Sequence, residues 1–254
     1  WALLIKIKMK LKDKAYNLDV LKISLKQKVK IPKFIYFSLK QFNLNKQFFL
    51  KQIKINFNNK NIIFRSSANN EDGKKLSNAG LYESVVINES LSKNKIYTKL
   101  NDYLKQFKNL NDRIIVQEFI SDVDYSGVIF TGEHSSNAPY YIINYDKSGK
   151  TNLVTSGSKN KTLSTEIVYK YSKYVGKFKK LINACKILET KLKNYRLDIE
   201  FAFKQNKLFI FQIRDLPLKL NKGKKYFLNN KNFKISLNNI KKKINNITTK
   251  NTTL

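Results

Sequence analysis

Carboxylates, an amide and an arginine alternate with apolar residues late in the chain, in RLDIEFAFKQNKLFIFQIRDLP (residues 196–217). This alternation, interrupted at residues 205–207, predicts a β-hairpin. A three-residue loop, with Lys204 opposite Leu208, gathers the apolar side chains on one core face: Ile199, Phe201, Phe203, Phe209, Phe211 and Ile213. A two-residue loop would bury Gln212 among the phenylalanines, so we expect the three-residue loop.

The same register brings polar groups together on the opposite face of the hairpin. Glu200 lies opposite Gln212 and Asp198 lies opposite Arg214, with Cβ atoms about 5 Å apart. Two carboxylates and an amide oxygen can hold a hard divalent cation, and a guanidinium beside them can bind a phosphate. The alternative is a half-exposed hairpin with one ordinary Asp–Arg pair, and on the hairpin alone this alternative is favoured.

A second polar segment, RSSANNEDGKKLSNAGLYES (residues 65–84), offers a cation, hydroxyl groups and a glycine. Only four of the 50 Lys and Arg residues are Arg, and two of these, Arg65 and Arg214, fall in the two polar segments. Phosphate binding is where a planar guanidinium differs most from an ammonium group. Backbone N–H groups around Gly80 can also approach a phosphate closely. The segment is a candidate cover for a triphosphate, and the alternative is a polar loop between two strands.

Composition limits the other classes of function. The 254 residues, 42% of them hydrophobic, suffice for one large domain or two modest ones. A single Cys and a single His exclude an internal disulfide and a multi-histidine zinc site. No apolar run approaches the ~20 residues of a membrane span and the start lacks a signal peptide's apolar centre, so we expect a cytoplasmic protein with no membrane partner.

The net charge of +32 comes mostly from Lys spread along the whole chain. A dedicated nucleic-acid-binding protein would use more Arg in a localised patch, so we expect no specific nucleic-acid partner. One hypothesis is therefore a protein that binds polyanions non-specifically, with an affinity that falls steeply as the salt concentration rises.

Hydrophobic periodicity predicts helices at residues 11–27, 91–108 and 165–194. In the last helix, Tyr171, Val175 and Cys185 are expected to face inward. An extended run is predicted after Pro32, and strands are predicted at residues 61–65, 82–88, 112–120, 126–132 and 139–146. Helices and strands alternate without a strict β-α-β order, which favours an α+β fold in one or two lobes. Residues 218–254, rich in Lys and Asn, are expected to form a tail or linker.

Four blocks of the chain, in order, resemble the nucleotide-binding domain of the pyruvate phosphate dikinase and phosphoenolpyruvate synthase family. KDKAYNLDVL with VKIPKFIYFS looks like the opening of that domain, and FRSSANNEDGKKLSNAGLYESVV is similar to its Arg-Ser-Ser segment. IVQEFISDVDYSGVIFT looks like its Val-Gln and Ser-Gly-Val block. RLDIEFAFKQNKLFIFQIRDLP resembles its Asp-Ile-Glu and Gln-x-Arg ending. The resemblance spans roughly residues 11–217.

This resemblance implies a two-lobed, ATP-grasp-like domain at residues 1–217, with mostly antiparallel sheets and a lobe boundary near residues 110–120. It implies that Lys14, Arg65 and Arg214 contact the phosphates of ATP. It further implies that Mg²⁺ is held by Glu200 and Gln212, with Asp198 beside them.

The resemblance also assigns a loop over the nucleotide, with Gly80, Ser84 and Val85, and places Gln117 near the adenine. The implied enzyme is a dikinase-like phosphotransferase. It splits ATP and passes a phosphoryl group to the histidine of a separate phosphohistidine domain, and that histidine then phosphorylates pyruvate or another acceptor. His134 is instead expected to be an exposed turn residue and not the phosphoryl acceptor.

The chain departs from the family pattern at three places. Lys12 and Asp13 replace the family's Gly-Gly, Asp215 replaces the Pro after Arg214, and KSGKTNLVTSG stands where the family has a Gly-Leu-Gly-Glu loop. No phosphohistidine domain is recognised within the 254 residues. The alternative function is therefore a degenerate, non-catalytic nucleotide-binding or interaction module.

Overall fold

Two antiparallel sheets form the framework of the protein. The structure is a computed structural model that describes residues 10–26, 29–67, 82, 84–88, 93–136, 138–149 and 163–217. Sheet 1 has the order β1-β4-β2-β3, built from β1 (Phe34–Ser38), β2 (Ile62–Ser67), β3 (Val85–Ile87) and β4 (Arg113–Glu118). Sheet 2 has the order β7-β6-β5-β8-β9, built from β5 (Tyr125–Phe130), β6 (Tyr140–Asp146), β7 (Ser164–Tyr169), β8 (Leu197–Lys204) and β9 (Lys207–Asp215).

Five helices pack against these sheets in the described part of the chain: α1 (Lys14–Leu25), α2 (Leu39–Leu44), α3 (Lys46–Phe57), α4 (Lys93–Leu104) and α5 (Lys179–Leu192). The predicted helices at residues 11–27 and 91–108 correspond to α1 and α4. Helices α2 and α3 are not predicted from the sequence. The predicted class, α+β with mostly antiparallel sheets, is confirmed.

None of the helices in the described ranges is long and apolar enough to cross a membrane.

The first lobe is a core between sheet 1 and helices α2, α3 and α4. Alternate residues of β2 and β4 enter this core, including Ile62 and Phe64 from β2 and Ile114 and Val116 from β4. Because successive side chains of a strand point to opposite faces, the residues between them lie on the other face of sheet 1. That second face carries Arg65, Ser67, Ile115 and Gln117.

The second lobe is a core between sheet 2 and helices α1 and α5. Its buried residues include Phe201 and Ile213 of the hairpin and Cys185 of α5. Helix α1 contributes Leu18 and Leu21 to the same core. It therefore packs in the second lobe, although the other elements of that lobe come after residue 124. The chain passes from sheet 1 to sheet 2 between residues 118 and 125.

The β8–β9 hairpin differs from its predicted register near the turn and agrees with it at the polar end. The loop has two residues, Gln205 and Asn206, both with positive φ, and Lys204 pairs with Lys207. The prediction of a three-residue loop is therefore wrong. A β-bulge beside Glu200 then shifts the register by one residue, so that Glu200 pairs with Gln212 and Asp198 pairs with Arg214.

The bulge allows a two-residue loop without burying Gln212 among the phenylalanines. With the shorter loop, Leu208 and Ile210 are buried in the core of the second lobe, while Phe209 and Phe211 are only partly buried. Phe211 is the extra residue, since Glu200 pairs with Gln212 and the next residue, Phe201, pairs with Ile210. The expected burial of Phe209 and Phe211 on the core face is wrong, and Gln212 nevertheless stays on the polar face.

The predicted long helix at residues 165–194 is two elements. Residues 164–169 form the edge strand β7, and α5 begins only at Lys179. Tyr171 and Val175, expected to face inward, are exposed in the intervening loop, whereas Cys185 lies in the core as expected.

Candidate functional site between the two sheets

Arg65 connects the two sheets at the centre of the candidate site. Its Nη2 donates to Glu200 Oε2 at 2.8 Å and to Gln212 Oε1 at 2.5 Å. Its Nη1 donates to Gln117 Oε1 at 3.3 Å, and Gln117 Nε2 donates to the Phe211 carbonyl at 3.5 Å. Strand β2 of sheet 1 therefore places one guanidinium against the polar face of the hairpin in sheet 2.

Asp198 and Arg214 form the next cross-strand pair of the hairpin. Arg214 Nε donates to Asp198 Oδ2 at 2.8 Å, and Asp198 is 5% exposed. Burial raises the pKa of Asp198 above its ordinary value, and the adjacent Arg214 acts in the opposite direction. The two predicted carboxylates therefore each contact one arginine, Asp198 with Arg214 from the same hairpin and Glu200 with Arg65 from the other sheet.

His134 lies beside this pair and is not the exposed residue that the sequence predicted. It occupies a turn, as expected, but it is partly buried and packs edge-on against Phe130, which pairs with Asp198. Its Nδ1 is buried and finds no hydrogen-bond partner among the described residues. A charge on this imidazole would lower the pKa of Asp198.

The N-terminus of α1 is attached to strand β2 close to Arg65. The Ser67 hydroxyl donates to Asp13 Oδ1 at 2.9 Å and accepts from the Ala15 backbone N–H at 2.9 Å. Asp13 is the N-cap of α1, and Arg113 Nη1 approaches its carboxylate at 3.4 Å. Ser67 lies two positions beyond Arg65 in β2. Lys14, the first residue of α1, therefore lies between the two residues that bind Ser67, Asp13 and Ala15.

The same helix is also attached to the hairpin. The side chain of Asn17, 1% exposed, donates from Nδ2 to the Ile213 carbonyl at 3.0 Å. Ile213 lies between Gln212 and Arg214 in β9. Helix α1 thus contacts the strand that carries Arg65 and the strand that carries Gln212, which fixes the backbone of Lys14 relative to both.

The predicted nucleotide-covering loop is described only at one end. Val85 begins β3 and pairs with Phe64, the neighbour of Arg65, and Ser84 precedes it as an exposed residue. Gly80 lies outside the described residues. Of the ten predicted site residues, four are joined directly by hydrogen bonds (Arg65, Gln117, Glu200 and Gln212), and Asp198 with Arg214 forms the adjacent pair.

The oxygen atoms of the polar face suit a hard divalent cation in their chemistry. Carboxylates and amide oxygens are the protein ligands of Mg²⁺, which keeps water and substrate phosphates as its other ligands. The contact of one Arg65 nitrogen with both Glu200 and Gln212 shows that a positive charge is stabilised between these two oxygens. No cluster of three or more His, Cys, Asp or Glu able to hold a metal occurs in the described ranges, so this site would rely on Gln212 as a ligand.

Sequence reasoning missed the roles of Asp13, Ser67, Arg113 and Asn17. Asp13 appeared only as a departure from a glycine, although a residue of its type before an apolar helix is a signal for an N-cap. The contacts of Ser67, Arg113 and Asn17 join residues that are far apart in the chain, and the local pattern gives no signal for them.

Comparisons with known proteins find similarity only among solved structures. No protein-family model matches the chain, and no curated protein matches it. D-alanine–D-alanine ligase from Bacillus anthracis matches with 11% identity and a TM-score of 0.45, over 80% of this chain and 58% of the ligase. A structure of the Bacillus anthracis ligase complexed with ATP matches with 12% identity and a TM-score of 0.44, over 80% of this chain and 56% of that one. VanG D-Ala:D-Ser ligase from Enterococcus faecalis matches with 13% identity and a TM-score of 0.44, over 82% and 54%.

The chain thus spans a little more than half the length of these ligases. Likeness at this level of identity and TM-score carries no argument about substrate or reaction. Membership of the dikinase family stays a prediction from the four sequence blocks.

Proposed function

We propose that the chain is an ATP-grasp-like, Mg-ATP-binding phosphotransferase domain of the phosphoenolpyruvate synthase and pyruvate phosphate dikinase type. It splits ATP and passes a phosphoryl group to the histidine of a phosphohistidine carrier supplied elsewhere. The single observation that carries this proposal is the meeting of Arg65 from sheet 1 with Glu200 and Gln212 from sheet 2. Two polar segments that are far apart in the sequence are joined there by direct hydrogen bonds.

In this proposal, the hairpin supplies the metal ligands. Glu200 and Gln212, with Asp198 beside them, hold Mg²⁺, which supplies charge neutralisation on the phosphates. Arg214, which pairs with Asp198, binds a phosphate next to the metal ligands.

The other lobe and α1 supply the remaining cations. Arg65 and Lys14 orient the phosphates. Lys14 is held near Arg65 because Ser67 of β2 binds the Ala15 N–H and Asn17 of α1 binds the Ile213 carbonyl of β9. Ser84 and Val85, with Gly80, form the cover that excludes water, and Gln117 orients Arg65. Catalysis by this set is positioning and electrostatic stabilisation, the two contributions that dominate phosphoryl transfer.

Replacement of one carboxylate tests the proposal. Glu200→Gln keeps the shape and a hydrogen bond to Arg65 but removes the charged metal ligand, so it should abolish Mg-dependent ATP turnover in a folded protein. The matched control is Glu118→Gln, which alters a carboxylate paired with Lys60 at the surface and should leave turnover intact. Full turnover in Glu200→Gln would refute the proposed site.

The alternative is a non-catalytic nucleotide-binding or interaction module, and one observation favours it. Asp13, where the family has glycine, is engaged with Ser67 and Arg113, so its carboxylate stands close to the proposed phosphate-binding residues. A ³²P transfer assay with a phosphohistidine-domain protein decides between the two functions. Binding of Mg-ATP without transfer favours the module. A polyanion-binding protein would instead lose affinity with salt and show no thermal shift with ATP.

A further inference from the structure

The guanidinium of Arg65 occupies the position where the two best metal ligands converge. A single nitrogen, Nη2, lies 2.8 Å from Glu200 Oε2 and 2.5 Å from Gln212 Oε1. We infer that Arg65 acts as a resident cation in the nucleotide-free site, so that a divalent metal ion enters only together with phosphates that draw Arg65 away. This inference rests on the proposed function and concerns the order in which its ligands bind.

Distance is the first argument for mutual exclusion. Mg²⁺ binds oxygen ligands at about 2.0–2.1 Å and requires a nearly octahedral set of them. An ion bound to Glu200 and Gln212 at that distance would fall on the space that Nη2 now fills. Arg65 must therefore move before both oxygens can bind a metal ion.

Charge is the second argument. The site holds two carboxylates, Asp198 and Glu200, and two guanidinium groups, Arg65 and Arg214, which pair one to one. These charges balance, so a free divalent ion would add two positive charges beside Arg65 in a partly buried site. The side chains of Arg65 and Glu200 are only 17% and 21% exposed, so solvent screens this repulsion weakly.

The phosphates of the nucleotide remove both obstacles. They bring negative charge with the metal ion, and they offer Arg65 the bidentate acceptor that suits its planar fork. Glu200 and Gln212 are then free to bind the metal ion. The site would thus reject free Mg²⁺ and accept the complex of Mg²⁺ with a nucleoside triphosphate.

Titration of the full chain with Mn²⁺, followed by electron paramagnetic resonance, tests this order of binding. The wild type should bind Mn²⁺ at this site only in the presence of ATP. Arg65→Met, which keeps a long apolar stem without the charge, should bind Mn²⁺ without nucleotide at least tenfold more tightly than the wild type. The double variant Arg65→Met with Glu200→Gln should lose the gained site, which assigns the binding to the hairpin.

Thermal unfolding gives a second measurement that does not depend on catalysis. Mg²⁺ should raise the Tm of Arg65→Met, because only the variant offers a free site in the folded state, and it should leave the Tm of the wild type unchanged. If Arg65→Met does not fold, Arg65→Gln, which can still donate to Glu200, replaces it in both measurements.

Two results would overturn the inference. One is nucleotide-independent Mn²⁺ binding by the wild type that Glu200→Gln removes, and the other is the absence of any gain when Arg65 is replaced. Failure of the proposed function looks different, since the wild type would then bind no Mn²⁺ at this site even with ATP. Tight Mn²⁺ binding with ATP, but no gain in the Arg65 variants, would refute only the order of binding.

Discussion

Arg65 and Glu200, separated by 135 positions in the chain, form an ion pair of 2.8 Å between the two sheets. Each residue lies on a strand whose neighbouring side chains are buried in a different core, Phe64 in the first lobe and Phe201 in the second. The pair therefore depends on both cores being formed and on their relative position. This dependence makes Arg65 the most informative residue to change.

Arg65→Lys should lower ATP turnover at least tenfold, about 1.4 kcal/mol. A lysine keeps the charge but cannot donate to Glu200, Gln212 and Gln117 from one planar group. The measurement is the steady-state rate of Mg-ATP hydrolysis or transfer.

Arg196→Lys is the matched control, because its guanidinium binds the backbone carbonyls of Glu133 and Pro217 rather than the site carboxylates. It should leave turnover unchanged. An undiminished rate in Arg65→Lys would show that the guanidinium of Arg65 has no special role in ATP turnover.

Ser67→Ala should weaken Mg-ATP binding and also destabilise the fold by about 1–2 kcal/mol, because two hydrogen bonds at a buried hydroxyl are lost. The variant detaches the N-terminus of α1, and with it Lys14, from strand β2. Isothermal titration calorimetry with Mg-ATP measures the binding change, and urea unfolding measures the stability change.

Ser38→Ala separates these two effects. Ser38 is the N-cap of α2, with a capping box formed with Gln41, so its loss should cost about 1 kcal/mol of stability. Because α2 packs in the core of the first lobe, nucleotide affinity should not change. Equal loss of affinity in both variants would show that Ser67 has no special role in the site.

Lys170→Met should destabilise the second lobe by about 3–5 kcal/mol, since it leaves the charge of Glu189 buried without an opposite charge. Lys170 is paired with Glu189, which is 4% exposed, and Tyr141 donates to the other carboxylate oxygen at 2.9 Å. Burial raises the pKa of Tyr141, and the neighbouring Glu189 raises it further, so its hydroxyl stays a donor.

The double variant Lys170→Met with Glu189→Gln checks this explanation. It removes both charges and keeps an acceptor for Tyr141, so urea unfolding should show a smaller loss of stability than Lys170→Met alone. A double variant that is less stable than the single one would contradict the buried-charge explanation.

Acid stability should depend on Glu133. Burial would raise the pKa of this carboxyl, but hydrogen bonds from the side chains and backbone N–H groups of Ser136 and Ser135 outweigh it and lower the pKa to about 2, from an ordinary 4.5. A depressed carboxyl pKa stabilises the folded state above the ordinary value, and the stabilisation is lost as pH falls toward the folded value.

Comparison of urea unfolding midpoints between pH 5 and pH 2 measures this contribution. Glu133→Gln cannot ionise, so the wild type should lose its advantage over the variant as pH falls from about 4.5 to about 2. A difference between the two proteins that does not change with pH would exclude a stabilising role for the ionised carboxylate.

The pairing at the polar end of the hairpin is predicted correctly from the sequence, and the length of its turn is predicted wrongly. The alternation of residues 198–203 assigns the apolar side chains of β8 to one face. If Gln212 in β9 must lie on the opposite, polar face, then Glu200 is predicted to pair with Gln212, as it does. The wrong loop length came from assuming an uninterrupted ladder. Asn206 at a two-residue turn was a signal for the shorter loop, because Asn tolerates positive φ.

The other errors have similar causes. Val168, Tyr171 and Val175 have helical spacing, but the β-branched residues of STEIVY favour the strand that forms. The partial burial of His134 could not be predicted, because Phe130 and Asp198 are brought beside it by the pairing of β5 with β8. Residues of α1 gave no sign that they pack in the second lobe.

The bulge at Phe211 makes the hairpin tolerant of a change in length at one position. Deletion of Phe211 would turn the β8–β9 ladder into an unbroken one, in which the two-residue turn is kept and Glu200 still faces glutamine. What the insertion adds is a backbone carbonyl that reaches the Gln117 side chain. Deletion of Phe211 should therefore preserve the sheet while releasing Gln117, whereas a one-residue deletion farther from the bulge would move the residues between the deletion and the bulge to the opposite face of the sheet.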